Sequence, residues 1–524
     1  MTRPLAPRLL PTGLFHVLVA IVFALSGCAA LPERLPLGAP GYALSPQPGG
    51  LLADLESRVR HAHGTEQSAF LLLDANQEAL RWRLALIDSA RHSLDLQYYV
   101  WWGDEVGDLL LARVIAAADR GVKVRLILDD LSTILEDETH PRLRDASTAL
   151  VDAHPNIEIR LFNAWRSRPL AGRAVEVLER MERINHRMHN KLLVADNRAA
   201  IVGGRNLGNE YFGLSPEFNF RDLDVLGIGP VARQASAVFD TFWNSNWVTP
   251  AAALPPADAA EAKAADPQVL RTKLAAAPSL AAFPLEAEDW TGRFEQMVPL
   301  MHPGTSRVHT DTPDESAVTH HMPAAIRALM ATAESELLIA NAYIIPGQHA
   351  LDRTRDLVNR GVDVRILTNS LASHDVPAVN SHYQPWRKPL LEAGVRLYEV
   401  RPDAATQPAL ADTPPTRAKF MGFHVKAMVI DERRVFVGSM NLDPRSWSIN
   451  SEMGVVIDSP GLARELAATV KRDMAPENAW QVTLDGNGEL VWAAGGQELR
   501  QQPARSTWQR VENVFFTFFP RDLY

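Results

Sequence analysis

A chain of 524 residues with 46% hydrophobic and 22% charged side chains has room for two or three domains and the composition of a globular protein with a large core, which excludes disorder as its default state. Its formal net charge of −9 argues against neutralising nucleic-acid phosphates over the whole surface, so no nucleic-acid partner is expected, although a local basic cleft is compatible with it.

The N-terminus reads as an export signal. Arg3 and Arg8 form a basic start, the apolar run 14–25 is too short to span a bilayer comfortably, and Leu25-Ser26-Gly27-Cys28 closes it with small residues before the only cysteine. That cysteine has no partner for an internal disulfide. The arrangement resembles a bacterial lipobox, which implies a lipoprotein signal peptide over 1–27, cleavage before Cys28, lipidation of its thiol and a membrane-associated protein outside the cytoplasm. Ala29, where an aspartate would retain the protein, favours the periplasmic face of the outer membrane. Residues 28–50, rich in Pro, Gly and Leu without a period, read as a tether.

In the body, apolar spacing predicts helices over 51–63 and 77–93, a strand at 94–100, a helix over 104–120 closed by Gly121, and a strand at 122–128. Strand, helix, strand is a parallel crossover unit, so the fold class is α/β. The same order returns as a helix over 324–335, a strand at 336–343, a helix over 349–360, Gly361 and a strand at 362–367. Two tandem domains, each a mixed β-sheet flanked by helices, are therefore expected over 51–248 and 301–524, packed about a pseudo-two-fold axis and joined by an Ala/Pro-rich connector at 249–300.

Each domain carries one copy of a motif. His189-Asn190-Lys191-Leu192-Leu193-Val194-Ala195-Asp196, followed by Gly203-Gly204-Arg205-Asn206, returns 235 positions later as His424-Val425-Lys426-Ala427-Met428-Val429-Ile430-Asp431 and Gly438-Ser439-Met440-Asn441. In an extended segment His189 and Lys191 share a face, as do His424 and Lys426, and polar turns with short apolar returns make each copy a β-hairpin. The hairpin brings Asn206 or Asn441 back beside its His/Lys pair. An imidazole, an ammonium and an amide converging on one point suit a phosphoryl group: Lys and Asn hold its oxygens, and His attacks phosphorus or moves a proton. Asp196 and Asp431, as turn residues, are expected to satisfy backbone donors rather than take part in proton transfer.

Both copies resemble the H-x-K-x4-D motif of the phospholipase D superfamily. Arg187-Met188-His189-Asn190-Lys191, Gly203-Gly204-Arg205-Asn206-Leu207-Gly208-Asn209-Glu210-Tyr211-Phe212 and Arg221-Asp222-Leu223-Asp224-Val225 resemble bacterial cardiolipin synthases, most of all the C type. The likeness runs from about Ser68 to the C-terminus. It implies phospholipid substrates, a membrane surface as the place of work, and a phosphatidyl group carried on a histidine to the glycerol hydroxyl of phosphatidylglycerol, with phosphatidylethanolamine as donor. Covalent exchange needs one neutral imidazole to attack and one protonated imidazole to release the leaving alcohol, which accounts for two copies. The resemblance to other two-motif members makes His189 the nucleophile and His424 the acid/base, and symmetry leaves the reverse open. Two Lys and two Asn supply the positive field, so no cofactor or metal is implied. Hydrolysis to phosphatidic acid is the alternative outcome, and a nuclease-like phosphodiesterase a more distant one.

Each histidine should also have a carboxylate behind it. Glu452, 28 residues after His424, is the partner the family implies for His424. For His189 the candidates are Asp222 and Asp224, with Asp222 preferred. Gly204 stands where the second copy has Ser439, so the first half lacks one hydroxyl donor near the phosphate. The aromatic run 514–519 suits either an interfacial anchor or, more commonly, a segment docked on the core, and Trp101-Trp102 poses the same choice.

Overall fold

The structure is a computed structural model describing residues 39–131, 141–168, 170–254, 267–314 and 317–519, so the expected signal peptide and the expected lipidation at Cys28 lie outside the described residues. Helix α1 (Leu51–His63) leads into β1 (Ser68–Leu73), α2 (Asn76–Ser89), β2 (Ser93–Tyr98), α3 (Glu105–Asp119), β3 (Lys123–Asp129) and β4 (Ile157–Phe162). Then come α4 (Leu170–Asn185), β5 (Leu192–Ala195), β6 (Ala199–Gly203), β7 (Phe218–Arg221), β8 (Asp224–Ile228) and α5 (Pro230–Trp243). The second half repeats this order with β9 (His302–Thr310), α6 (Met322–Ala331), β10 (Glu336–Asn341), α7 (Gln348–Asn359), β11 (Asp363–Asn369), α8 (Pro377–Tyr383) and β12 (Arg396–Val400). It closes with β13 (Phe420–Phe423), β14 (Lys426–Ile430), β15 (Arg434–Gly438), β16 (Met453–Asp458), α9 (Pro460–Asp473) and α10 (Thr507–Phe516).

Local chemistry sets these bounds. Asp104 caps α3 by accepting the Gly107 N–H, and the turn after the helix needs a residue in the left-handed region, which Gly121 supplies at φ 94°. Gly361, at φ 91°, does the same after α7. The predicted helix over 77–93 stops at Ser89 because Ala90 is already extended, and the strand starts at Ser93. Sequence periodicity gave no sign of β1. The expected free tether is also partly docked: Asn244 accepts the Gly41 N–H at 2.9 Å, and Asp240 accepts that of Ala43 at 2.9 Å.

The α/β class and its parallel crossovers hold. β2, β3 and β4 are parallel neighbours in the first half, as are β10, β11 and β12 in the second. β2 continues antiparallel into β5, β6, β8 and β1, and β10 into β14, β15, β16 and β9. The two runs join where β1 pairs antiparallel with β9, Ala69 opposite Pro303, so one sheet crosses both halves and its strand order reads alike from either end. A core shared by the halves packs Val202, Val225 and Phe239 with Val437, Val455 and Leu466. Burial of apolar side chains from both halves in one cluster fixes their relative position and so the registration of the two motifs.

Trp101 and Trp102 are docked. Their indole N–H groups donate to the Gly107 carbonyl at 3.1 Å and to Glu210 at 2.8 Å.

Candidate active site

Both hairpins form as the motif predicts. β5 and β6, and β14 and β15, turn through pairs of residues with positive φ, Asp196-Asn197 and Asp431-Glu432. Asp196 accepts the backbone N–H groups of Arg91, His92 and Ser93, and Asp431 accepts those of Glu334, Ser335 and Glu336. The motif aspartates thus pin the hairpin tips to the starts of β2 and β10. At the opposite ends, the Lys191 ammonium donates to the His189 carbonyl at 2.7 Å, and that of Lys426 to the His424 carbonyl at 2.5 Å. Each lysine is therefore folded against its own histidine.

The carboxylates cross between halves. His189 Nδ1 lies 2.9 and 3.0 Å from the two oxygens of Glu452, and His424 Nδ1 lies 2.7 Å from Asp222. The expected pairing of Glu452 with His424 and of Asp222 with His189 is therefore corrected: each histidine is backed by the acid of the other half. The backbone explains the exchange. The segment entering each motif leaves its own sheet and runs beside the acid-bearing segment opposite. His189 N–H donates to the Ser451 carbonyl at 2.8 Å and Ser451 N–H to the Arg187 carbonyl at 2.9 Å. On the other side β13 runs parallel to β7, and His424 N–H donates to the Arg221 carbonyl at 2.9 Å. The residue after Ser451 is Glu452, and the residue after Arg221 is Asp222.

Asp224 points elsewhere. It is fully buried between Arg83 and Arg205, at 3.0 and 2.9 Å. Ser439 and Gly204 also differ from expectation, since the Ser439 hydroxyl donates to Glu452 at 2.5 Å rather than standing as a free donor. A Cβ on Gly204 would lie 2.4 Å from an oxygen of Asp222, so a side chain is excluded there by the carboxylate that serves His424. Asn206 and Asn441 are buried at the hairpin exits. Asn206 donates to the Tyr211 hydroxyl at 2.9 Å, and the amide oxygens of both asparagines have no partner among the described residues.

Three tyrosines complete the walls. Tyr99 sets its ring edge-on to His189 at 5.0 Å, with the Lys191 ammonium over its face at 5.2 Å. Tyr343 faces Lys426 at 5.8 Å and His424 at 6.4 Å, and Tyr211 lies 5.3 Å from His424. The motif did not point to them. A signal was present, however, for Tyr99 and Tyr343 each follow the first parallel strand of their half.

Electrostatics separate the two histidines. Burial, then the ammonium groups of Lys191 and Lys426, push the His189 imidazole well below its ordinary value, while burial pushes its partner Glu452 well above. Burial and Lys426 also lower His424, but Asp222 works against them. Burial raises Asp222, yet His424, Lys426 and Arg205 together bring it below the usual carboxylate range. His189 therefore sits in a pair biased toward neutral forms, and His424 faces an ionised acid able to support a proton on the ring. Lys191 is pushed well below its ordinary value by burial, and Lys426 down to about 8. His424, Lys426 and Lys191 all act on His189, which places both motifs in one electrostatic neighbourhood.

With this geometry in hand, the family model for "Cardiolipin synthase, PLD-like domain" matches residues 84–243 and 326–474, more than half of the chain and one match per motif. The chain belongs to this cardiolipin synthase family. Among its relatives is cardiolipin synthase C of Escherichia coli K12, 35% identical over 460 residues, spanning 85% of this chain and 93% of the relative. The major cardiolipin synthase ClsA of Bacillus subtilis is 25% identical over 79% of this chain and 70% of its own. The fold of this cardiolipin synthase family member also matches the phosphatidylserine synthase of Haemophilus influenzae, with a TM-score of 0.54 at 14% identity, over 80% of this chain and 91% of that one.

Proposed function

We propose that this phospholipid phosphatidyltransferase makes cardiolipin through a phosphohistidine on His189, with His424 as acid and base. The observation that carries the reading is the pair of crossed imidazole–carboxylate contacts at the ends of two like hairpins. A Glu452 oxygen that accepts from Nδ1–H favours the tautomer with its proton there, which leaves Nε2 of His189 with the lone pair that attacks phosphorus. The phosphorus–oxygen bond to ethanolamine then breaks, and His424 gives its Nε2 proton to the leaving oxygen. Ethanolamine leaves, and a phosphatidylglycerol hydroxyl takes its place. Now neutral, His424 accepts the hydroxyl proton, the oxygen attacks phosphorus, the phosphorus–nitrogen bond breaks and cardiolipin is released. Lys191, Lys426, Asn206 and Asn441 hold the phosphoryl oxygens throughout.

Burial and the lysines depress the His189 imidazole further than that of His424, where the ionised Asp222 opposes them, and this difference favours this order of roles over its reverse. Phosphatidylethanolamine as donor rests on likeness to the C-type synthase, and a lipid anchor at Cys28 facing the periplasm from the outer membrane rests on the sequence of the leader. No helix among the described residues is long and apolar enough to cross a membrane.

The deciding experiment incubates the purified chain with phosphatidylglycerol, with and without phosphatidylethanolamine, and separates the products. Cardiolipin formed with release of ethanolamine supports the proposal. Phosphatidic acid as sole lipid product makes the enzyme a hydrolase, and cardiolipin with free glycerol moves the donor to phosphatidylglycerol.

A further inference from the structure

The last described helix has its polarity inverted. On α10 the residues facing the body are Gln509 and Asn513, both buried: Gln509 donates to the Leu371 carbonyl at 2.6 Å, and Asn513 donates to Gln384 and accepts from Asn380. Its outer face carries Trp508, Val511, Val514 and Phe515, and the turn beyond it Phe518 and Phe519. Positions 508, 511, 515 and 518 recur at helical spacing, so the stripe is continuous. A helix on a water-facing surface buries its apolar side and shows its polar one. Six of the fifteen large apolar side chains exposed among the described residues lie on this single short segment.

Its position is as informative as its polarity. Arg505, just ahead of the helix, donates to the carbonyls of Ala372 and His374. His374 stacks on Tyr343 at 5.2 Å, Tyr343 donates to Asp375 at 2.6 Å, and the Tyr343 ring borders His424. The stripe is thus braced on the loop that walls one histidine. The first half has a counterpart: α4 exposes Val175, Leu178 and Met181 and ends four residues before His189. Each half therefore exposes apolar side chains on an element tied to its own histidine, α4 along the chain and α10 through the loop at 371–375 and Tyr343.

We propose that α10, with the exposed face of α4 as a second contact, lies in the outer layer of a phospholipid leaflet and so presents the cleft to substrate still seated in the membrane. A ten-residue helix is too short to span, whereas an aromatic and aliphatic face with Trp508 at its start suits the interface between headgroups and acyl chains. This deepens the phosphatidyltransferase reading, and its test by lipid contact does not depend on turnover, so the two can fail separately.

Of the twelve tryptophans, all within the described residues, Trp508 is the one that is largely exposed, at 68%, and serves as the probe. The full chain is mixed with phosphatidylethanolamine and phosphatidylglycerol vesicles bearing brominated acyl chains, and tryptophan emission is read. Quenching is expected in the native chain and its loss in Trp508→Tyr. In that background Leu178→Trp should restore it. Phe515→Ser with Phe518→Ser should leave the thermal midpoint unchanged, cut turnover on vesicles about tenfold, and spare turnover on short-chain monomeric phospholipid. Equal quenching of the native chain and Trp508→Tyr overturns the α10 contact, and no quenching in Leu178→Trp overturns the α4 contact. If Trp508 in the native chain is not quenched and Phe515→Ser with Phe518→Ser breaks a dimer in sedimentation, the stripe covers a second copy and the lipid proposal fails.

Discussion

The Asp222 carboxylate in the first half of the chain stands 2.7 Å from Nδ1 of His424 in the second, and Glu452 returns the contact to His189. Each half thus lends its acid to the histidine opposite, and substitution of either acid should impair the ring across the cleft.

Asp222→Asn should therefore weaken proton donation by His424 while sparing attack by His189. We expect a fall in kcat of about 10²–10⁴-fold on phospholipid, and a much smaller one on a substrate with a nitrophenyl leaving group that needs no proton. Glu452→Gln should impair both substrates alike. If the leaving-group rescue follows Glu452→Gln instead, the roles of the histidines are reversed.

The covalent step can be read directly. With radiolabelled phospholipid and an alkaline quench, which preserves a phosphohistidine, His424→Ala should retain label on the protein when the leaving group is activated, and His189→Ala should retain none. Label that survives in His189→Ala would assign the nucleophile elsewhere.

Gly204 offers a steric test. Replacing it by the serine found at the matching position of the second motif puts a Cβ 2.4 Å from Asp222, which must then swing off His424. Gly204→Ser should match Asp222→Asn in activity and in its response to leaving group. Ser439→Ala removes the hydroxyl donor to Glu452 and should cost about 1–2 kcal/mol of stability, seen as a lower unfolding midpoint.

Lys426 sets an alkaline limit. With its ammonium brought down to about 8 by burial, the charge proposed to hold the phosphoryl group is present below that pH and lost above it, so kcat/KM should fall as pH rises through 8. Lys426→Arg, which stays charged, should move that limb to higher pH. Stability should run the opposite way. Between about 8 and the ordinary lysine value the unfolded chain binds the extra proton, so unfolding midpoints should rise with pH across that window, and Lys426→Met should flatten the slope.

Asp224 separates a structural acid from a working one. It is locked between Arg83 and Arg205, so Asp224→Ala leaves two buried guanidinium groups without their anion. A loss of about 3–5 kcal/mol in denaturant unfolding is expected, well beyond that of Asp222→Asn.

The motif residues were legible because the chain says everything twice. Period-two alternation across a short turn foretold the hairpins, and strand–helix–strand order foretold the parallel units on either side. What stayed hidden depends on which segments meet across the seam. Glu452 lies 28 residues after His424 along the chain, yet its carboxylate reaches His189, and no spacing carries that exchange. β1 escaped for a related reason. It is buried on both faces between β8 and β9, and its apolar run shows no alternation. The polar underside of α10 was equally silent, because Gln509 and Asn513 look like solvent residues until α8 is seen packed on them.

The meeting of β1 with β9 turns the chain into a dimer written on one polypeptide. A solitary half would hold a histidine with no acid behind it, and could recover one only by finding a twin. Covalent linkage removes that concentration dependence and releases the twins from being identical. One side can then keep an aspartate beneath a bare glycine while the other sets a glutamate under a serine, and two imidazoles born alike are free to take up different trades.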